Sequence, residues 1–581
     1  MIANNYFADD EDLQVFFQQL IDWNPIILEV EGEKFIDHQK YVHSKDSKFE
    51  MAPSNEIEAK DLYESSLFSL GEFFGKEVSQ HSKAMDVKEL KYDKGKVIFP
   101  NETKDIYEKF IATGLMPYAI SREAGGLSFP ATMSALYAMI MARADVSFCM
   151  TITLLNLAQI VARFGTSEQI SNFARKAATG ECLFAMALTE PDYGSDLNNI
   201  KTVAIKSPDG SYRLTGAKRF ISQGCGLGDH SALLLTLART GKSEGGARGL
   251  SVFIVKSTDV FVAGIEKKMG IHASPTCEIV YEDTYGEILG EEGMGLTRYT
   301  AGMTNFMRLS SASGGPGGGA GVYYECKKYA SERMQFGKPI IEIPAVAEML
   351  HKIKRETNAM RLIALETARV IDMFQHHQIR LEKAGLPDRE IRKDDKIKYW
   401  SSLANTLTPI AKYYGSEEGH KCAYLAVQIF GGAGYTEDYD VSRMFRDSRI
   451  NTIYEGTSQI HVRIATGGII AGMAGEGNFK KYLIDLNSDI LNPSKYLLEQ
   501  YKLLEESIET LRSLNDENKK EKLSESLMIQ MGRYLCSLLY ERSLFKLKEN
   551  EVLNRWTDDC LAYVIDSTSI SLACHYKIQN L

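Results

Sequence analysis

A chain of 581 residues, 44% hydrophobic and 25% charged, has the balance of a soluble globular protein built from more than one folded unit. Its net charge of −10, with no Lys/Arg tract, excludes non-specific nucleic-acid binding as a leading role and suits an enzyme better. The nine cysteines are scattered, odd in number and never spaced C-x-x-C, which argues against a disulfide framework or a metal site and for a reducing, cytoplasmic setting. The acidic start MIANNYFADDEDL lacks the basic and apolar regions of a signal peptide, and no apolar run of about 18 residues predicts a membrane span.

In chain order the pattern predicts an α+β protein, mostly α. Residues 1–182 read as a helical domain: IEAKDLYESSLFSLGEFFGKEV (57–78) and TMSALYAMIMARAD (132–145) carry apolar residues at three- and four-residue spacing. TSEQISNFARKAAT (166–179) opens with a capping box, Thr166 and Gln169. Over residues 183–290 the period shortens to β-rich segments such as YRLTGAKRFIS, HSALLLTLART and LSVFIVKS, separated by turns; this predicts a β-barrel-like domain. Residues 291–474 return to long helical patterns, including 344–374, and predict a four-helix bundle. Residues 475–581 form a further charged, helical domain.

Two stretches stand out. IYEGTSQI (453–460) places one acid, Glu455, between Tyr454 and Gly456 with no basic partner within four residues on either side. Its plain reading is a solvated acid near a helix start, capped by Thr457 or Ser458. SSASGGPGGGAG (310–321) is unusually rich in glycine for a bundle helix, and Pro316 should kink it. Tight helix packing accounts for the small side chains; the alternative is room for a wide or branched ligand.

Four separated segments change the weight of these readings. ALTEPDYGSD (187–196), KRFISQG (218–224), SERMQFGKPI (331–340) and VQIFGGAGYTEDY with FRDSRINTIYEGTSQI (427–460) resemble, in order and spacing, the signature segments of the acyl-CoA dehydrogenase family. The likeness covers roughly residues 105–470, and the length and helical tail resemble the larger subclass with an extra C-terminal domain.

The resemblance implies an FAD-dependent enzyme that removes hydrogens from the α and β carbons of an acyl-CoA thioester and passes electrons to an electron-transferring flavoprotein. It gives Glu455 the role of base. A carboxylate in an apolar pocket has its pKa raised toward that of the weakly acidic α C–H. The backbone N–H of the base, with a flavin hydroxyl, would stabilise charge on the thioester oxygen. Members that carry the base on an earlier helix place it before an Arg; here that Arg is Arg308, and Met307 precedes it. The resemblance also implies flavin contacts from Leu188, Thr189, Phe220 and Ser222, a diphosphate contact from Arg333 with Gln335 and Phe336 beside it, and contacts from Gln428, Gly431 and Gly432 across a subunit boundary. Thr457 and Gln459 match the adenine side, while Ser195, Arg308 and Gly456 match the substrate side. A homodimer is expected, or a tetramer.

Plainer readings stand beside these: Arg333 as a helix-end cation, Gly431-Gly432 as a helix cap, Ser222 as a turn hydroxyl, Phe220 as core. Ile343-Pro344 stands where shorter members have His-Gln, which puts a flavin contact there in doubt. An oxidase that uses oxygen and a family-like flavoprotein that binds nucleic acid are the alternatives; the acidic net charge weighs against the second.

Overall fold

Residues 4–241 and 243–581 are described by the structure, a computed structural model. α1 (Glu56–Phe73) begins where the Asn55 side chain accepts from the N–H groups of Ile57 and Glu58, both at 3.0 Å. α2 (Ala131–Ala144) and α3 (Val146–Leu155) are buried along nearly their whole length. Asp145 separates them: its backbone is extended and its carboxylate caps α3 by accepting from Phe148 N–H at 2.9 Å. α4 (Ala158–Phe164) follows.

Contrary to expectation, Val146–Phe164 is apolar and long enough by composition to cross a membrane. It is 78% buried within the fold, and the α3–α4 break falls inside it, where Asn156 Nδ2 donates to Met116 O at 3.0 Å. It is a core segment. The predicted capping box is present, with Gln169 N–H donating to Thr166 Oγ1 at 3.2 Å and Thr166 N–H to Gln169 Oε1 at 3.1 Å. A small hairpin, β1 (Lys91–Asp93) with β2 (Lys96–Ile98), interrupts the helical region expected over residues 1–182.

The middle region forms β3 (Cys182–Ala187), β4 (Val203–Lys206), β5 (Tyr212–Ser222), β6 (Ser231–Arg239), β7 (Leu250–Lys256), β8 (Phe261–Ile265) and β9 (Thr276–Ile288). The order β6–β4–β5–β9–β7 closes back on β6, with β3 added beside β6 and β8 beside β9. This is the barrel-like domain the short strands predict. It has its own apolar core around Leu214, Leu234, Phe253 and Ile279.

The bundle comprises α5 (Ala301–Glu332), α6 (Pro344–Lys383), α7 (Asp395–Phe430), the short α8 (Val441–Ser448) and α9 (Ser458–Gly472). α5 continues through Pro316. Its glycines allow close crossings on three sides. A Cβ on Gly315 would meet Gly415 O of α7 at 2.0 Å, one on Gly317 would meet Met139 O of α2 at 2.5 Å, and one on Gly319 would meet Thr357 Oγ1 of α6 at 2.5 Å. The small residues therefore serve helix packing; the void beside Gly314 and Gly318 is only about 20 Å³.

The extension forms α10 (Asn478–Ser488), α11 (Lys495–Ser513), α12 (Glu517–Leu544) and α13 (Asn550–Asn580). It is joined to the bundle by a buried network: Arg533 reaches Glu356 at 2.6 Å and Glu418 at 3.0 Å, and Tyr414 donates to Glu356 at 2.9 Å. It is joined to the N-terminus by Arg555, which pairs with Glu11 at 2.6 Å and Asp12 at 2.8 Å, and by Phe16 packed edge-on to Trp556.

Candidate active site

Glu455 lies in a tight turn between the 3-10 turn Arg449–Thr452 and α9. Its φ is +57° and that of Gly456 is +99°. Glycine adopts that backbone freely; a glutamate there carries strain of about 1–2 kcal/mol, a cost that clusters at functional sites. Thr457 is the N-cap of α9, accepting from Ile460 N–H at 3.5 Å. The plain reading of Glu455 as a solvated helix-start acid does not hold: the residue is half-buried, and burial raises its pKa to about 7 against the opposing pull of Arg308 and Lys412.

The cations around the turn hold its backbone rather than the acid. Arg308 Nε donates to Glu455 O at 3.4 Å, His461 Nε2 lies 3.2 Å from the same oxygen, and Lys412 Nζ donates to Gly456 O at 2.8 Å. No ion pair or hydrogen bond engages the Glu455 carboxylate among the described residues, and its backbone N–H has no backbone acceptor. Burial, with Lys412 and Arg308 nearby, lowers His461 to about 3, so its ring is neutral near pH 7. Tyr454 walls one side, with its hydroxyl donating to Asn451 Oδ1 at 2.7 Å. An unpaired acid held in a preset backbone, with a pKa near neutrality, has the properties of a general base.

A second cluster joins β3 to the end of β5. Lys218, fully buried, donates to Leu188 O and to Glu190, both at 2.9 Å; Glu190 also accepts from Lys201 N–H at 2.6 Å and Thr202 N–H at 2.9 Å. Thr189 O accepts from Arg219 N–H at 2.9 Å. These bonds bring Leu188 and Thr189 beside Phe220 and Ser222. A bulge between Lys218 and Ile221 turns Phe220 outward, with φ +62° and 54% of its surface exposed. Gln223 is buried, donates to Thr151 Oγ1 at 2.6 Å and leaves its own Oε1 without a partner.

A third cluster lies at the far end of the bundle. Arg333 ends α5, and Met334–Gln335 pairs with Lys338–Pro339 across a turn at Phe336-Gly337, whose φ angles are +52° and +79°. Phe336 is 91% exposed. This hairpin sits beside the end of α7, where Tyr329 stacks on Phe430 with ring centroids 4.0 Å apart. Gln428, Gly431 and Gly432 are exposed there, and a Cβ on either glycine would meet nothing within 4 Å. The structure thus unites Glu455, Gly456 and Arg308, then Leu188 to Ser222, then Arg333 to Phe336 with Gln428 to Gly432. Ser195 and Gln459 stand exposed and belong to none of these groups.

Comparison with known proteins decides the class. Sequence models of the acyl-CoA dehydrogenase N-terminal, middle and C-terminal domains match residues 69–181, 185–284 and 293–470. The chain belongs to the acyl-CoA dehydrogenase family. It is 30% identical over 435 residues to 3-methylmercaptopropionyl-CoA dehydrogenase of Ruegeria pomeroyi, covering 71% of each chain. It is 34% identical over 314 residues to subunit CarC of the caffeyl-CoA reductase-Etf complex of Acetobacterium woodii, covering 53% of this chain and 73% of that one. The solved butyryl-CoA dehydrogenase of Megasphaera elsdenii aligns with a TM-score of 0.59 at 27% identity, over 71% of this chain and 98% of its own. The acyl-CoA dehydrogenase of Bacillus anthracis complexed with FAD shares the fold more fully, with a TM-score of 0.73 at 23% identity over 89% of this chain and 88% of that one.

FAD is the cofactor of the acyl-CoA dehydrogenases, and the donor set here fits it. An outward aromatic at Phe220 and the Ser222 hydroxyl suit a flat heteroaromatic ring. The exposed Arg333 guanidinium and the open glycine turn suit a diphosphate. Three supports were not apparent in the motifs: Lys412, His461 and the Glu190–Lys218 pair. The signal for Lys412 was available, since Ile410, Ala411, Tyr413 and Tyr414 surround it in sequence and all are buried.

Proposed function

We propose that this acyl-CoA dehydrogenase oxidises an acyl-CoA thioester to the 2-enoyl-CoA, with Glu455 as the base that takes the α proton. The observation that carries this is the Glu455 carboxyl itself: half-buried, unpaired, and raised by burial to about 7. The unengaged backbone N–H of Glu455 is a donor for charge developing on the thioester oxygen. Neutral His461 and the carbonyl-bound Arg308 and Lys412 hold the turn without quenching the base. Bound FAD supplies the hydride acceptor for the β hydrogen. Leu188, Thr189, Phe220 and Ser222 would orient its ring, and Arg333 with Gln335 and Phe336 would hold its diphosphate. Thr457 and Gln459 would face its adenine side, and Ser195 the CoA moiety.

Electron-transferring flavoprotein as the acceptor is supported by the relative that works within an Etf complex. A homodimer is supported by the exposure of Phe336 and Tyr435, at 91% and 88%, beside the open Gly431-Gly432 turn. Anaerobic mixing of the yellow protein with a panel of acyl-CoAs should bleach the flavin. Glu455→Gln should keep the colour yet slow bleaching by about 100- to 10,000-fold. Near-normal bleaching in that variant would place the base elsewhere, and rapid peroxide formation on admitting oxygen would favour an oxidase.

A further inference from the structure

Lys412 sits in the middle of α7, fully buried, one of few lysines so placed. An ammonium carries three N–H donors, and a buried one normally meets a carboxylate. Lys412 makes one hydrogen bond among the described residues, to Gly456 O at 2.8 Å, and no ion pair. A buried charge so incompletely paired is costly for the fold, and its location gives it a purpose: the carbonyl it grips belongs to the residue after Glu455.

We propose that Lys412 is the positioning residue of the base, pinning the Glu455-Gly456 turn in its left-handed conformation and holding a positive charge near the carboxylate without contacting it. The proposal rests on reading Glu455 as the base. From α5, Arg308 approaches the same turn; from α9, His461; from α7 itself, Glu417; and Tyr454 and Cys149 lie against the pocket. Among these groups His461 is uncharged near pH 7, Glu417 acts on Lys412 rather than on Glu455, and Arg308 reaches only the Glu455 carbonyl. Lys412 and Arg308 are thus the charges that favour ionised Glu455 against its burial. A direct Lys–Glu contact would make the acid too weak a base; displacement onto the neighbouring carbonyl lets the charge stabilise the anion while leaving both carboxylate oxygens free.

The test is an infrared titration of Glu455 in the intact protein, isolated as the difference from Glu455→Gln. It is repeated in Lys412→Met, in Lys412→Gln, which keeps a donor without charge, and in Lys412→Arg. Loss of the charge should raise the midpoint of Glu455 ionisation by about one pH unit or more, in Met and Gln alike; Arg should restore it to within a few tenths. If Lys412→Met does not fold, the Gln and Arg pair carries the comparison. An unchanged midpoint in a folded Met or Gln variant would overturn the role of Lys412. That outcome is separate from failure of the base reading, which is decided by bleaching in Glu455→Gln alone.

Discussion

Gly315 and Gly415 cross so closely that a Cβ on the first would stand 2.0 Å from the carbonyl oxygen of the second. The contact joins α5, which carries Arg308, to α7, which carries Lys412, so the spacing of these helices sets the spacing of both cations around the base. Gly315→Ala should force the helices apart and destabilise the protein by about 1–3 kcal/mol, read as a lower thermal midpoint. Gly318→Ala is the control: a Cβ there meets nothing within 4 Å, and the gain in helix propensity should leave stability unchanged or raise it by up to about 1 kcal/mol. Equal losses in the two variants would refute close packing as the reason for the glycines.

The half-buried Glu455 should cost stability when it ionises. Its pKa rises from an ordinary 4.5 to about 7 on folding, so the protonated acid is the form the fold prefers. Its favourable contribution is complete below about pH 4.5 and is lost as pH rises through 7, by roughly 3 kcal/mol. Glu455→Gln should therefore melt higher than the parent at pH 8, with the gap closing toward pH 4.5. Denaturant unfolding across that range measures it, and a constant gap would mean that the carboxyl is not buried. In the reductive half-reaction the same titration has the opposite sign, with bleaching accelerating as pH passes through about 7.

The Glu190–Lys218 pair is buried on both sides; Lys218 also donates to the Leu188 carbonyl, and Glu190 accepts from the Lys201 and Thr202 N–H groups. Lys218→Met should strand the carboxylate and destabilise the protein by about 3–5 kcal/mol, with loss of FAD on dialysis. Adding Glu190→Gln should recover part of that loss, a coupling that a double-mutant cycle reads directly. Purely additive effects would show that the two side chains act independently.

Phe336 occupies a left-handed turn position that suits asparagine better. Phe336→Asn should stabilise the hairpin slightly, by a few tenths of a kcal/mol, while lowering FAD occupancy of the purified protein. Full occupancy with a gain in stability would mean that the exposed ring serves neither cofactor nor partner subunit.

The large divisions of the chain were legible because periodicity persists over many residues: helices beyond thirty residues in the bundle, and short alternating strands in the barrel. Glu455 was legible through its motif, since no period or charge pattern marks it. The β1–β2 hairpin was not, because three-residue strands are shorter than any window in which alternation registers. The glycine stretch left two readings open, since sequence gives composition and not the distance to α2, α6 and α7. Lys412 was missed although apolar residues flank it, because a lysine inside such a run usually snorkels to solvent; Lys218, beside Arg219, carries no such run, and only tertiary placement shows its burial.

The clasp between Arg555 and Glu11–Asp12, with Phe16 against Trp556, ties the opening residues to the last helix. The extension is therefore no detachable appendage. Cutting before α13 would strip a roof from the N-terminal helices and bare aromatic surface at both ends of the polypeptide at once. A minimal version of this protein would have to be redesigned across that seam, rather than simply shortened.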